Sequence, residues 1–347
     1  MTTHTADTDW RAIVAPYTGA DVARSIFQLV STLALLALAF VATYWAGTNA
    51  LWLWIVLVPL LSGMLIRTFI IMHDCTHGSF LPWRRGNDVV GVVTGLLAFT
   101  PYNQWRRDHA LHHASSGDLD RRGHGDVTTW TVREYLAKTP RQQLGYRLAR
   151  HPLLLLAFGP IYLMYSQRFR PRSVATGDRQ AETVLWTNVA LAGLAAIAVL
   201  AWGWLALGVW LLGYYVAGAA GVWLFYVQHQ FEDAYWETHT EWDYWTSAMN
   251  GSSHLKLPGL LQWFTGNIGL HHVHHLAPRI PNYRLQRCHD ENPPLQAAPV
   301  ITVRSGLSAL RLALWDEDQR KLVRFREIGG AKSERKEESK GGKVGSE

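Results

Sequence analysis

G-N-I-G-L-H-H-V-H-H, residues Gly266 to His275, places four histidines within five residues. His271, His274 and His275 fall at i, i+3 and i+4, which is one face of a helix. His109, His112 and His113 repeat the pattern in H-A-L-H-H, and His73 with His77 in H-D-C-T-H form an i, i+4 pair. Eight of the sixteen histidines therefore sit in three one-faced clusters. Neutral imidazole ligates iron, zinc and copper, and two or three on one face point at a common volume. Eight exceed what one tetrahedral or octahedral ion takes, so converging clusters most simply hold two metals with positions left open.

Outside these clusters the chain has the hydropathy of a membrane protein. No charged residue occurs from Ser25 to Ile66 or from Thr183 to Gln228, runs of 42 and 46 residues. Each is about twice the ~20 residues that cross a bilayer core, so each is expected to be a hairpin of two spans. The expected spans are residues 25–46, 50–70, 183–203 and 207–228, with breaks near Gly47-Thr48-Asn49 and Trp202-Gly203-Trp204. The fold class is thus an all-α integral membrane protein with four transmembrane helices and a helical cap carrying the histidines. Residues 1–24 form an N-terminal segment, residues 25–328 the membrane domain, and 329–347 a charged tail too poor in apolar residues to pack. A polar stretch precedes the first run, so no cleavable signal is expected.

From Arg84 to Arg179 there are fifteen Lys or Arg against seven Asp or Glu, whereas the turns inside both hairpins carry no charge. By the positive-inside rule the large loop, both termini and all three clusters face the cytoplasm. The net charge of +6 reads as topology and attraction to lipid heads or an acidic partner, with no nucleic-acid partner expected. Cys75 and Cys288, both on the reducing side, are expected to be free thiols.

Between the hairpins, Val89–Phe99 is too short to span. Pro152–Tyr165, interrupted by Gly159-Pro160 and followed by Arg168, Arg170, Arg172 and Arg179, reads as interfacial or re-entrant. Val127–Tyr135 and Gln142–Arg150 read as surface helices, Ser115–Asp126 as a loop, and Thr302–Ile328 as an amphipathic helix. His229 ends the fourth span at the depth where His73 and His77 emerge, which makes it a ninth candidate ligand. His272, in the variable position of its box, reads as structural, and His4, His124, His151, His239, His254 and His289 as solvated. Asp74, Asp108, Glu232, Asp233 and Asn267 lie near the clusters in sequence and could bond the second ring nitrogens or a bound water.

An all-nitrogen pair of metals above a membrane suggests redox rather than hydrolytic work, with iron activating oxygen to attack a C–H bond of a lipid chain. A metal transporter would place ionisable residues near the middle of the spans, and here residues 25–66 and 183–228 carry no charge, the second span running into Arg67 only at its end.

The boxes H-D-C-T-H-G-S-F (73–80), W-R-R-D-H-A-L-H-H (105–113) and G-N-I-G-L-H-H-V-H-H-L (266–276) resemble those of the membrane fatty acid desaturase family, over roughly residues 25–325. The three-residue gap in the first box is similar to the acyl-lipid omega-6 (delta-12) and omega-3 branch. The resemblance implies two non-haem irons held by His73, His77, His109, His112, His113, His271, His274 and His275, with His229 matching an extra ligand. It also implies O2 as oxidant and a cis double bond made in an acyl-lipid, acyl-CoA or acyl-carrier-protein substrate within the bilayer. The H-P-G-G motif of a fused cytochrome b5 is not present, so a separate, ferredoxin-like donor is implied. Thr76 stands where many relatives have Gly. Related boxes also occur in membrane hydroxylases and ketolases acting on carotenoids, alkanes or sterols.

Overall fold

A computed structural model describes residues 9–123, 127–169 and 178–328. The tail at 329–347 lies outside the described residues, as do His4, His124, Arg170 and Arg172. The chain is a mostly helical integral membrane protein with minor sheets: among the described residues four helices are long and apolar enough to cross a bilayer. After α1 (Trp10–Val14), these are α2 (Val22–Asn49), α3 (Trp54–His77, preceded by a 3-10 turn from Leu51), α9 (Asp178–Trp202) and α10 (Trp204–His229). Both expected hairpin breaks are present, the first at Ala50 and the second at Gly203, whose φ of 78° is a conformation glycine adopts without a Cβ clash.

The bundle is packed in the manner a bilayer requires. On α2 the buried residues Ser25, Gln28, Thr32, Ala39, Thr43 and Ala46 are small or polar, while Phe27, Val30, Leu38 and Val41 face outward. Lipid solvates the large apolar side chains as well as protein does, so close approach of small residues holds the helices together. At the centre lies α3, which is buried along most of its length from Val58 to Thr76 and packs against α2, α4 (Arg84–Leu97) and α10. Ser62 Oγ donates to the Gly213 carbonyl 3.0 Å away across the α3–α10 contact.

The cap is built from α5 (Tyr102–Ser115), α6 (Val132–Ala137), α7 (Pro140–Ala149) and α8 (Pro152–Arg168), followed past the fourth span by α11 (Tyr244–Asn250), α12 (Gly259–Phe264), α13 (His271–Leu276), α14 (Asn282–Glu291) and α15 (Val303–Ala309). The axis of α8 is bent by 81° from that of α7, and α8 lies against α10 with Pro160 on Gly218.

Two expected surface elements are different. The segment 127–135 is not one helix: a capping box between Thr131 and Glu134 starts α6 only at Val132. The segment before it includes β1 (Trp130–Thr131), which pairs in parallel with β4 (Leu314–Asp316), and β4 pairs antiparallel with β5 (Lys321–Val323). The expected helix at 302–328 is therefore a correction. Its apolar residues serve α15 and a hairpin, because Asp316 accepts from the backbone N–H groups of Asp318 and Gln319 and turns the chain there. A second parallel pair joins β2 (His254–Lys256) to β3 (Val300–Thr302). Buried Arg150 ties the cap to the end of α10, donating to Gln230 Oε1 (2.6 Å) and to the Leu312 carbonyl (3.2 Å).

The α3–α10 contact makes a test. A Cβ at Gly213 would lie 2.8 Å from Leu61 Cδ2, whereas one at Gly208 on the same helix meets nothing within 4 Å. Gly213→Val is expected to cost about 1–3 kcal/mol as overpacking and to lower the melting temperature in detergent. Gly208→Val serves as the control that leaves it unchanged.

Candidate metal centre

Four elements deliver the histidines. His73 and His77 ride on the last turns of α3, which ends because Gly78 takes φ 67° and lets the Ser79 N–H reach the Asp74 carbonyl. His109, His112 and His113 lie on α5, His229 is the last residue of α10, and His271, His274 and His275 lie on the short α13. The sequence-expected ligands converge, but not as one volume per box. His73, His77, His109, His113 and His274 form one set, and His112, His229, His271 and His275 a second. Within each set one nitrogen per residue lies within 4.8 Å of all the others.

The division follows the helix. Each i, i+4 pair stays together: 73 with 77, 109 with 113, 271 with 275. The i+3 residue of the two longer boxes crosses over, His112 joining the pair from α13 and His274 the pairs from α3 and α5. Residues one step apart differ by about 100° around the axis, so neighbours such as His112 and His113 face different centres. His229 takes the place in the second set that no box residue fills.

The spacing within the sets is that of ligands around an ion. Nε2 of His109 lies 3.1 Å from that of His73 and from that of His113, and His113 lies 3.0 Å from His274. In the second set the separations are 3.2 Å (His112–His229), 2.9 Å (His271–His229) and 3.1 Å (His275–His271). Metal–imidazole bonds of about 2.1 Å put right-angled ligands about 3.0 Å apart and tetrahedral ones about 3.4 Å apart. The donor sets therefore fit metal ions that keep right-angled positions. Nε2 of His77 adds an orphan, buried with no hydrogen-bond partner among the described residues.

The protonation state also suits ligation. Burial, and after it the adjacent imidazoles, hold His109, His113, His271, His274 and His275 well below the ordinary histidine range. Neutral rings offer lone pairs. The second ring nitrogens set the orientation in two cases. His229 Nδ1 donates to the Gly251 carbonyl at 3.0 Å, and His73 Nδ1 lies 3.4 Å from Asp74 Oδ1.

Of the five polar residues expected nearby, Asp74 and Asn267 join one network. Asp74 Oδ2 accepts from both the backbone N and Nδ2 of Asn282 at 2.8 Å, Asn282 exchanges amide bonds with Gln28 of α2, and Asn267 Nδ2 donates to the Asn282 carbonyl. Asn267 holds φ 59°, a left-handed conformation that asparagine tolerates at the turn into α13. Asp108 accepts from Gln104, Glu232 from Lys321, and Asp233 is exposed. Sequence reasoning missed Asn282 and Gln28, whose partners are more than 200 residues away. It also misjudged His254 and His289. They pack round the buried His272, with His272 Nε2 3.2 Å from His289 Nδ1 and the His254 and His289 rings 4.7 Å apart. Burial and the neighbouring rings lower His272 to about 3 and His254 to about 4.

Two outcomes are expected. Asn282→Ala strips donors from a buried carboxylate, so it should cost about 1–3 kcal/mol in thermal unfolding and loosen metal retention near His73. The metal-free protein should also be acid-labile. Unfolded histidines bind protons below pH ~6.5 and these folded ones do not, so the unfolded chain holds more protons there. Stability is then full above that pH and falls as pH drops toward the values of His254 and His272. Tryptophan-fluorescence melting across that range checks it, and a flat profile would refute it.

The sequence profile of the fatty acid desaturase family matches residues 50–306, which include all nine histidines. A fatty acid desaturase of Bacillus subtilis (strain 168) is 43% identical over 321 residues, 91% of this chain and 90% of that protein. An sn-1 acyl-lipid omega-3 desaturase (ferredoxin) of Nostoc sp. is 27% identical over 280 residues, 76% of this chain and 74% of its own. An sn-1 oleoyl-lipid 12-desaturase of Synechocystis sp. is 25% identical over 271 residues, again 76% and 74%. With four membrane helices bringing the three boxes into two metal-competent sets, and with a profile match across most of its length, this chain belongs to the fatty acid desaturase family and is an oxidoreductase.

Proposed function

We propose that the protein is an O2-dependent acyl-lipid desaturase that introduces a cis double bond, at the delta-12 (omega-6) position, using two non-haem irons. The observation that carries the reading is the sorting of nine histidines into two nitrogen-only sets at one end of the span bundle. His73, His77, His109, His113 and His274 would hold one iron and His112, His229, His271 and His275 the other. Bound iron supplies the means to reduce O2 and take hydrogen from an unactivated C–H bond.

The net change removes two hydrogens from adjacent carbons and converts one O2, two electrons and two protons into two waters. The chain's own residues supply position. Gly251 and Asp74 fix ring orientation at His229 and His73, and burial keeps the cap imidazoles of His109, His113, His271, His274 and His275 neutral, with lone pairs available to a metal. Residues 25–328 act as one catalytic domain. The excess of Lys and Arg between the hairpins supports placing the histidines and both termini in the cytoplasm, at the inner membrane of a bacterium. Two relatives are named as using ferredoxin, which supports a ferredoxin-like donor.

The bond position rests on the Synechocystis 12-desaturase, on omega-6 relatives at 26% identity and on the three-residue gap between His73 and His77. The 43%-identical relative carries no position in its name. Expression in a host without polyunsaturated lipids, with ferredoxin and its reductase, should yield a diene detectable by gas chromatography and mass spectrometry. His274→Ala should yield none, and should lose iron while inserting normally. An unchanged profile from iron-loaded protein with its donor present refutes desaturation, and fragment ions from any diene decide the position.

A further inference from the structure

We propose that a cavity of about 370 Å³ at the edge of the span bundle binds the phosphate of a phospholipid substrate through Arg67 and Arg24. This rests on the acyl-lipid reading above and adds the chemistry of the head group and the residues that select it. The cavity lies between α2, α3, α12 and the turn into α14. Its charged lining residues are both arginines; the rest of its polar wall, including Gln28 and Asn282, is uncharged.

Arg67 is the decisive residue. It sits within the second span, six residues and so about 9 Å of helix rise before His73. It is only 9% exposed. Nε donates to Thr32 Oγ1 at 3.2 Å, Nη1 donates to the Trp263 carbonyl, and the guanidinium lies 4.0 Å over the Trp263 ring. Among the described residues no carboxylate pairs with it. A cation in a membrane span is costly unless it serves a ligand or pathway, and a guanidinium fork matches the oxygens of a phosphate.

The surroundings make that ligand a lipid. Phe264, the last residue of α12, packs on Gly63, a full turn deeper along α3 than Arg67. Thus α12 dips into the bilayer beside the cavity. Phe27 (76% exposed) lines the mouth, and Leu260 (68% exposed) follows the lining residue Gly259 in sequence. Arg24, at the start of the first span, is solvent-exposed and lines the mouth, where its ion pair with the part-exposed Asp21, 3.6 Å from Nε, leaves the rest of the guanidinium fork for a ligand. A phosphate held here keeps its acyl chains among the spans. The same wall reaches the metal centre, since Asn282 bonds Asp74 beside His73 and Asn267 leads to His271 within four residues.

The test uses purified, metal-loaded protein without reductant, so binding is read apart from turnover. Native mass spectrometry should show dioleoyl phosphatidylglycerol retained more tightly than the galactolipid carrying the same chains. Arg67→Gln should weaken phospholipid retention about tenfold or more, as expected for losing a charge-assisted bond. Arg67→Lys should restore part of it, and Arg24→Gln, at an exposed position that does not endanger folding, should weaken it less. Galactolipid retention should not change in any variant. Equal retention of both lipids by the unmutated protein, an unchanged preference in Arg67→Gln and Arg24→Gln, or displacement by inorganic phosphate alone would overturn the proposal. In mixed-lipid vesicles with the donor, the unmutated protein should favour the phospholipid and Arg67→Gln should lose that preference. If no lipid is desaturated while phospholipid binding persists, the reaction assignment fails and the cavity stands.

Discussion

Nine imidazole rings gathered into two sets, with neighbouring ring nitrogens 2.9–3.2 Å apart, are the constraint on which the rest of this structure depends. Lone pairs at that distance repel unless a proton or a cation lies between them. Protons are disfavoured, because burial holds the cap histidines far below their usual range. A metal ion between the nitrogens would make the arrangement favourable, and the apolar scaffold must hold the rings together without it. That accounts for the placement of the ligands on the rigid ends of α3 and α10 and on α5 and α13, with second nitrogens tied to Gly251 and Asp74.

The i, i+4 geometry of an α-helix then does what a loop could not. It delivers paired histidines to one set while its i+3 position, rotated to the side, serves the neighbouring set. Since α5 and α13 each contribute to both sets in opposite proportion, the two centres are mechanically linked: neither helix can shift without disturbing both. His229 completes the weaker set from a membrane helix, so the second centre is fixed to the bilayer as the first is through His73 and His77.

This logic explains what the sequence disclosed. The charge-free runs announced four spans, because the cost of exposing charge to lipid is paid residue by residue and leaves a local record. The box spacing announced the ligands, because helical periodicity is also local. What stayed hidden was non-local. The Gln28–Asn282–Asp74 chain joins residues from opposite ends of the protein, and the packing of half-buried His254 and buried His289 around His272 depends on how β2, α13 and α14 meet. The hairpin at 314–323 reads as helix from its sequence because, of its few apolar residues Leu314, Trp315, Leu322 and Val323, the last two recur seven and eight positions after Trp315. Only Asp316, bonding backbone N–H groups two and three residues on, marks the turn.

Inside the bundle, polarity runs opposite to that of a soluble protein, and this links the bilayer to the chemistry. The first span turns Ser25, Gln28 and Thr32 inward, and each meets a polar partner that belongs to the site's support: the Phe80 carbonyl at the end of the first box, Asn282 behind Asp74, and Arg67. Lipid on the outer face of α2 gives these groups no alternative partner, so insertion itself forces the contacts. The membrane thereby acts on the metal centre through hydrogen bonds: α2 presses on Asn282, Asn282 on Asp74, and Asp74 on the ring of His73. The helix that anchors the protein in the bilayer therefore also sets the orientation of a candidate ligand nearly fifty residues away in sequence.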